Sequence, residues 1–224
     1  MSLASPSLAQ VPSSSRSTEA INRVKPKLEK ELEAKKIKYG SAIFIRIFKE
    51  SEELEVWVKN ENLFQKFKTF KICTYGSEGF GPKEKDGDGK APEGFYTVSA
   101  RDMNPVSNFH LSFNLGYPNE YDKSHRRTGS ALMVHGRCVS IGCYAMTDAG
   151  IEEIYALADG ALRAGQRSFM VHIFPYRMTD ENMKKNHSHK WIDFWRNLKA
   201  GYDYFEEKHI PPEIKVKDKI YVFE

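Results

Sequence analysis

The chain has 224 residues, 40% hydrophobic and 12% aromatic, enough to bury the core of one domain with extensions. Its 34 basic and 30 acidic side chains leave a net charge of +4, too even a balance to point to nucleic acid. The longest apolar stretch, around Ala42-Ile43-Phe44-Ile45, is far too short to be a membrane span.

Residues 1–18 are rich in Ser and Pro and lack apolar periodicity, which predicts a mobile N-terminal segment. Met1-Ser2-Leu3 followed by Ala4-Ser5-Pro6-Ser7-Leu8-Ala9-Gln10 resembles the small-residue end of a removed export signal, or a cloning remnant. A helical extension over 19–39 follows, with Thr18 as its cap, Ile21, Val24, Leu28 and Leu32 on one face, and a break expected at Pro26. Ile43, Ile45 and Ile47 alternate with Phe44, Arg46 and Phe48, and Leu54–Val58 alternates again, which predicts a hairpin; a third strand is expected from Phe67 to Tyr75.

A glycine-rich loop spans Gly76–Gly94, and its Asp86-Gly87-Asp88-Gly89 piece reads as turn chemistry because the ligand spacing of a calcium loop is missing. Strands are predicted at Phe95–Val98, Phe109–Phe113 and Phe169–Phe174, and a helix capped by Asp148 with Ile151, Ile154, Tyr155, Ala158 and Leu162 facing inward. Basic residues cluster at Lys123–Arg127 and near Lys184, Lys185 and Lys190, a pattern usual for solvated loops. Residues 179–224 read as a C-terminal helical extension with a final strand at Ile220–Phe223; Trp191, Phe194, Trp195, Leu198, Tyr202 and Phe205 recur at helical spacing, as packing residues do. The fold class is α+β and β-rich, with helices packed on sheets.

The chemistry concentrates in Val134-His135-Gly136 and Ser140-Ile141-Gly142-Cys143, where a thiol follows an imidazole by eight positions (143 − 135). A thiol is strongly nucleophilic as thiolate, and a neighbouring imidazole can take its proton and return it to a leaving group. Backbone N–H groups of Gly142 and Cys143 can face a developing oxyanion. The blander reading, a small buried thiol and a satisfied histidine, competes on chemistry alone. Cys73 and Cys138 read as two buried thiols, with a bridge as the alternative in an oxidising compartment.

The order of parts adds to this. Pro92-Glu93-Gly94-Phe95-Tyr96, then His135-Gly136, then Ser140-Ile141-Gly142-Cys143 resembles the L,D-transpeptidase catalytic domain of the YkuD type over about residues 40–178. Asn104–Ser107, Tyr117-Pro118-Asn119, Ser140–Asp148 and Phe174–Met178 resemble its YafK-like branch. The resemblance implies an exported, periplasmic enzyme acting on peptidoglycan stem peptides, with an acyl-enzyme on Cys143, His135 as base and the Gly136 carbonyl orienting the imidazole. The branch implies a cysteine amidase that releases covalently attached envelope lipoprotein at a diaminopimelate–lysine amide. A transpeptidase is the runner-up, and a noncatalytic wall-binding module is a third reading.

Departures from the family pattern are a short insert between the two motifs, Ile141 in place of a second histidine, and Ala145 where an arginine would meet substrate carboxylate. Arg137 is therefore the candidate carboxylate anchor, with Ser140 and Tyr144 as further substrate-binding residues. His125 is the rival base. No metal or cofactor is required, since a thiolate supplies the nucleophile; a zinc site on Cys138, Cys143 and His135 lacks standard spacing.

Overall fold

The computed structural model describes residues 10–77 and 79–224. Helix α1 (Ser15–Glu33) starts earlier than expected: Ser14, not Thr18, is its N-cap, accepting from the Ser17 N–H while the Ser17 hydroxyl accepts from the Ser14 N–H. Of the segment expected to be mobile, residues 1–9 lie outside the described residues; beyond them, Val11 is buried and its carbonyl accepts from Arg163. Pro26 does not break α1. The lost backbone bond is offset by packing of Leu28 and Leu32 into the core and by ion pairs from Arg23 and Lys27.

Strands β1 (Ile43–Phe48), β2 (Glu53–Asn60), β3 (Leu63–Lys71) and β4 (Gly94–Ser99) lead to β5 (Met103–Asn104), β6 (Ser112–Asn114), α2 (Glu120–Ser124), β7 (Met133–His135) and β8 (Tyr144–Ala145). Helix α3 (Asp148–Arg163), β9 (Ser168–Phe174), α4 (Asp180–Lys185), α5 (Ile192–Lys208) and the hairpin β10 (Ile214–Lys217) and β11 (Ile220–Phe223) complete the chain. The third strand begins four residues before its expected start at Phe67 and ends at Lys71. The strand expected from Phe109 is confined to Ser112–Asn114, and α3 is capped by Thr147 rather than Asp148.

One sheet has the order β3-β2-β1-β9-β4, a second β5-β6-β7-β8 and a third is the β10-β11 hairpin, and β1 runs parallel to β9. The alternation in β1 separates two apolar sets, because both sheet faces are covered. Ile45 and Ile47 join the core with Val134, Tyr144 and α3, whereas Phe44 and Phe48 meet α5 through Phe205, Trp195 and Tyr202. The segment read as a C-terminal extension thus supplies one covering layer of the large sheet.

Cys73 and Cys138 form a disulfide, which corrects the reading of two buried thiols. The geometry follows from the chain on either side of β8: the Cys73 N–H donates to the Ala145 carbonyl and the Cys138 N–H to the Met146 carbonyl. Two segments 65 residues apart in sequence are thereby brought edge to edge.

Candidate active site

β7 and β8 pair in parallel, with Val134 opposite Tyr144 and His135 opposite Ala145. Paired residues share a face and neighbours along a strand alternate. Cys143, immediately before β8, therefore lies on the face shared by Met133 and His135, and Tyr144 points to the other. The turn between the strands is tightly held. Arg137 and Cys138 both have positive φ, at 68° and 47°, and the Arg137 N–H donates to Asp148 Oδ1 at 2.8 Å. Gly136 is required there: a Cβ would come within 2.6 Å of that same Asp148 oxygen and 3.0 Å of the Phe109 carbonyl.

The Cys143 Sγ accepts from the Met133 N–H at 3.4 Å and lies 3.6 Å from the Ala131 carbonyl, an acceptor for the S–H. Burial pushes the thiol up, and the Met133 N–H and the Lys83 charge pull it part of the way back. His135 Nδ1 is 2.7 Å from the Gly136 carbonyl. A carbonyl only accepts, so Nδ1 carries the proton of the neutral ring and Nε2 is left as the base. Burial lowers the imidazole below the ordinary histidine value, with the Gly136 bond working against it. Both shifts favour the uncharged forms, a thiol and a neutral imidazole. Phe109 packs against the ring, centroids 4.6 Å apart.

Both side chains line a cavity of about 360 Å³. Its walls come from Lys83, Asp86, Gly87 and Gly89 of the long loop, from Ser130–Met133, and from Val139–Gly142, with Ile141 almost fully exposed. The loop is braced from within. Asp88 accepts from Lys83 Nζ and from the N–H groups of Glu84, Lys85 and Lys90. Burial would raise this carboxyl, yet those donors outweigh it and hold the pKa at about 2. At the loop's far end, Lys49 and Glu93 form a fully buried ion pair that also binds Gly81 and the Trp195 indole.

The structure brings His135, Gly136, Gly142 and Cys143 together, with the Gly136 carbonyl at His135 Nδ1, and places the remaining predicted residues otherwise. Gly142 N–H donates to Ser140 Oγ at 3.0 Å, and that hydroxyl donates to the Cys143 carbonyl at 2.7 Å. Ser140 therefore builds the turn under the thiol rather than presenting a free hydroxyl to substrate. Of the two expected oxyanion donors, Gly142 is engaged; the Cys143 N–H has no such brace among the described residues. Arg137 is exposed and outside the cavity lining. Tyr144 is buried on the opposite face, its hydroxyl donating to the Pro92 carbonyl at 2.7 Å, and it contributes nothing to the cavity. His125, the rival base, stacks on Tyr121 with centroids 4.1 Å apart and lines a separate depression. Cys138 has its sulfur bonded to Cys73, which removes it from any trio of metal ligands. The sequence reading missed Lys83, Phe109 and the Met133 N–H. Only the adjacency of Lys83 to a Gly- and Asp-rich loop hinted at it.

A thiol and a pinned imidazole thus share one sheet face, in a chain whose residues 42–173 match the model of the YkuD L,D-transpeptidase catalytic domain. The chain belongs to this family, whose members act on peptidoglycan. It is 49% identical over 183 residues to YafK of Escherichia coli strain K12, covering 82% of this chain and 74% of the relative, and equally so to YafK of strain O157:H7. Among solved structures it is similar to the helical cell shape determining protein Pgp2 of Campylobacter jejuni (K307A mutant), with a TM-score of 0.48 and 17% identity over 78% of this chain and 71% of that one. Bd1075 of Bdellovibrio bacteriovorus gives a TM-score of 0.46 and 19% identity, covering 82% and 84%. No helix among the described residues is long and apolar enough to cross a membrane.

Proposed function

We propose that this protein is a periplasmic cysteine amidase that hydrolyses the diaminopimelate–lysine amide tying envelope lipoprotein to peptidoglycan. The observation that carries the catalytic part is the shared face of His135 and Cys143, with Nδ1 pinned by Gly136 and both side chains in one cavity. Substrate binding expels water and brings the scissile carbonyl to Sγ. The thiol proton passes to His135 Nε2 as sulfur attacks the carbonyl carbon, and the oxyanion meets the Cys143 N–H. Collapse breaks the C–N bond, and the imidazolium gives its proton to the departing lysine amine. Water, deprotonated by the same Nε2, then attacks the thioester; the new carboxyl leaves and the thiol is restored.

The choice of water over an amine acceptor rests on the likeness to the YafK-like branch and on Ile141 and Ala145, which replace a histidine and an arginine of the ordinary motif. Ala145 is fully buried and paired in β8, so acceptor or carboxylate recognition must come from elsewhere. A disulfide is at home in an oxidising compartment, which supports export. The retained His135–Cys143 pair argues against a pure binding module, which has no use for it.

The test is digestion of peptidoglycan carrying covalently attached lipoprotein, with mass analysis of the products. Free lipoprotein and a muropeptide with a new diaminopimelate carboxyl are expected, with little exchange when a competing amine is added. Predominant new diaminopimelate cross-links or new lipoprotein attachments would establish the transpeptidase instead.

A further inference from the structure

The cavity holds a cation that the acyl-transfer steps do not use. Among the described lining residues Lys83 is the cationic one, and it is built in rather than draped over the surface. Its side chain is 5% exposed, and its Nζ donates to Asp88 Oδ1 at 2.7 Å and to the Lys85 carbonyl at 3.0 Å. An ammonium has three N–H donors, so two bonds leave one over. Room for the stem is reserved by Gly129 (φ 120°), where a Cβ would lie 2.8 Å from Lys83 Cε. The lysine's field reaches the nucleophile, since it acts to lower the Cys143 thiol.

A buried ammonium with a spare donor beside a nucleophile is a subsite for an anion. The positions the family pattern would use are closed here, because Ala145 is buried and Arg137 lies outside the cavity. We propose that Lys83, held by Asp88, receives a free carboxylate on the acyl-donor residue of the substrate and so sets which end of a stem peptide enters the cavity. The inference rests on the reading of the substrate as a diaminopimelate stem peptide but not on whether water or an amine completes the reaction. Asp86 also lines the cavity and carries the opposite charge, which limits the preference that Lys83 can give.

The test is binding, measured by calorimetry on the Cys143→Ala protein so that the fate of an acyl-enzyme plays no part. The probes are a muropeptide in which one diaminopimelate carboxyl is held in an amide, as in the substrate, and the other is free, and the same muropeptide with that second carboxyl converted to the carboxamide. Cys143→Ala should favour the free acid by about 10- to 100-fold, the range for a hydrogen bond to a charged group. Adding Lys83→Met should abolish that preference, read as the ratio of the two probes' affinities, and Lys83→Arg should keep part of it. Equal binding of the two probes by Cys143→Ala overturns the proposal without any Lys83 variant having to fold. Persistence of the preference in folded Lys83→Met, or equal loss for both probes, overturns it too. In the second case Lys83 serves only to brace the loop.

Discussion

The molecule buries two histidines, and they differ in every respect except burial. His135 has its Nδ1 bonded to Gly136 and opens on a cavity beside a thiol. His172, in β9, is fully enclosed: neither ring nitrogen has a partner among the described residues, and Phe44 and Phe95 stand edge-on to it at 4.6 and 4.7 Å. Burial depresses both imidazoles, more strongly His172, where the Arg46 charge adds to it. Burial alone therefore yields an inert, neutral ring that packs like an aromatic side chain. What distinguishes a base is one fixed nitrogen and an open path to the other.

The comparison can be broken most sharply at the nucleophile. Cys143→Ala should lower turnover by about four orders of magnitude or more with the melting temperature unchanged. Measurable turnover at the wild-type level would move the chemistry to another group. Next, His135→Gln should lower kcat by about 10²- to 10⁴-fold and slow alkylation of Cys143 near neutral pH. His172→Leu, as folded protein, should leave both readouts within about twofold. If His125→Ala and not His135→Gln gives the losses, the base is misassigned.

Breaking the disulfide is expected to act on stability. Cys73→Ser with Cys138→Ser should cost about 2–4 kcal/mol, read from urea unfolding, by freeing the chain in the unfolded state. The smallest effect is the pH slope. The folded value of His172 lies below the ordinary 6.5, so the unfolded chain binds its proton more readily. Stability is complete above 6.5 and falls as pH drops, by about 1.4 kcal/mol per unit from this ring. His172→Leu should flatten that part of the slope; an unaltered slope would assign the acid sensitivity to other groups. His135 shares the sign, so the acid limb of catalysis should lie below pH 6.5.

Much of this was legible in the chain. Glycines beside His135 and Cys143 announced tight backbone around a thiol, and the alternation in β1 and the aromatic stripe of α5 reported a strand and a packed helix, but not that the helix covers the second face of the sheet. Two errors came from reading adjacency as proximity. Tyr144 follows the nucleophile and Arg137 nearly follows the base, yet strand alternation sends the first to the opposite face and the second, in a positive-φ turn, lies outside the cavity lining. Lys83 drew no reading from the sequence, because nothing local shows that Asp88 folds back on it. The Cys73–Cys138 bond depends on β8 drawing in both segments, a tertiary fact without a local signature.

That connectivity makes the free thiol a matter of sorting. Three cysteines can pair as 73–138, 73–143 or 138–143, and the pairing seen is the one that spares residue 143. Cys138 is only five positions (143 − 138) upstream, the nearest competitor by loop closure. During oxidation the chain must therefore choose the long-range partner over the short-range one. Each molecule that errs leaves the assembly line with its reactive sulfur capped, so the yield of competent enzyme depends on β8 being in place before the bond is sealed, or on a disulfide isomerase to undo the mistake.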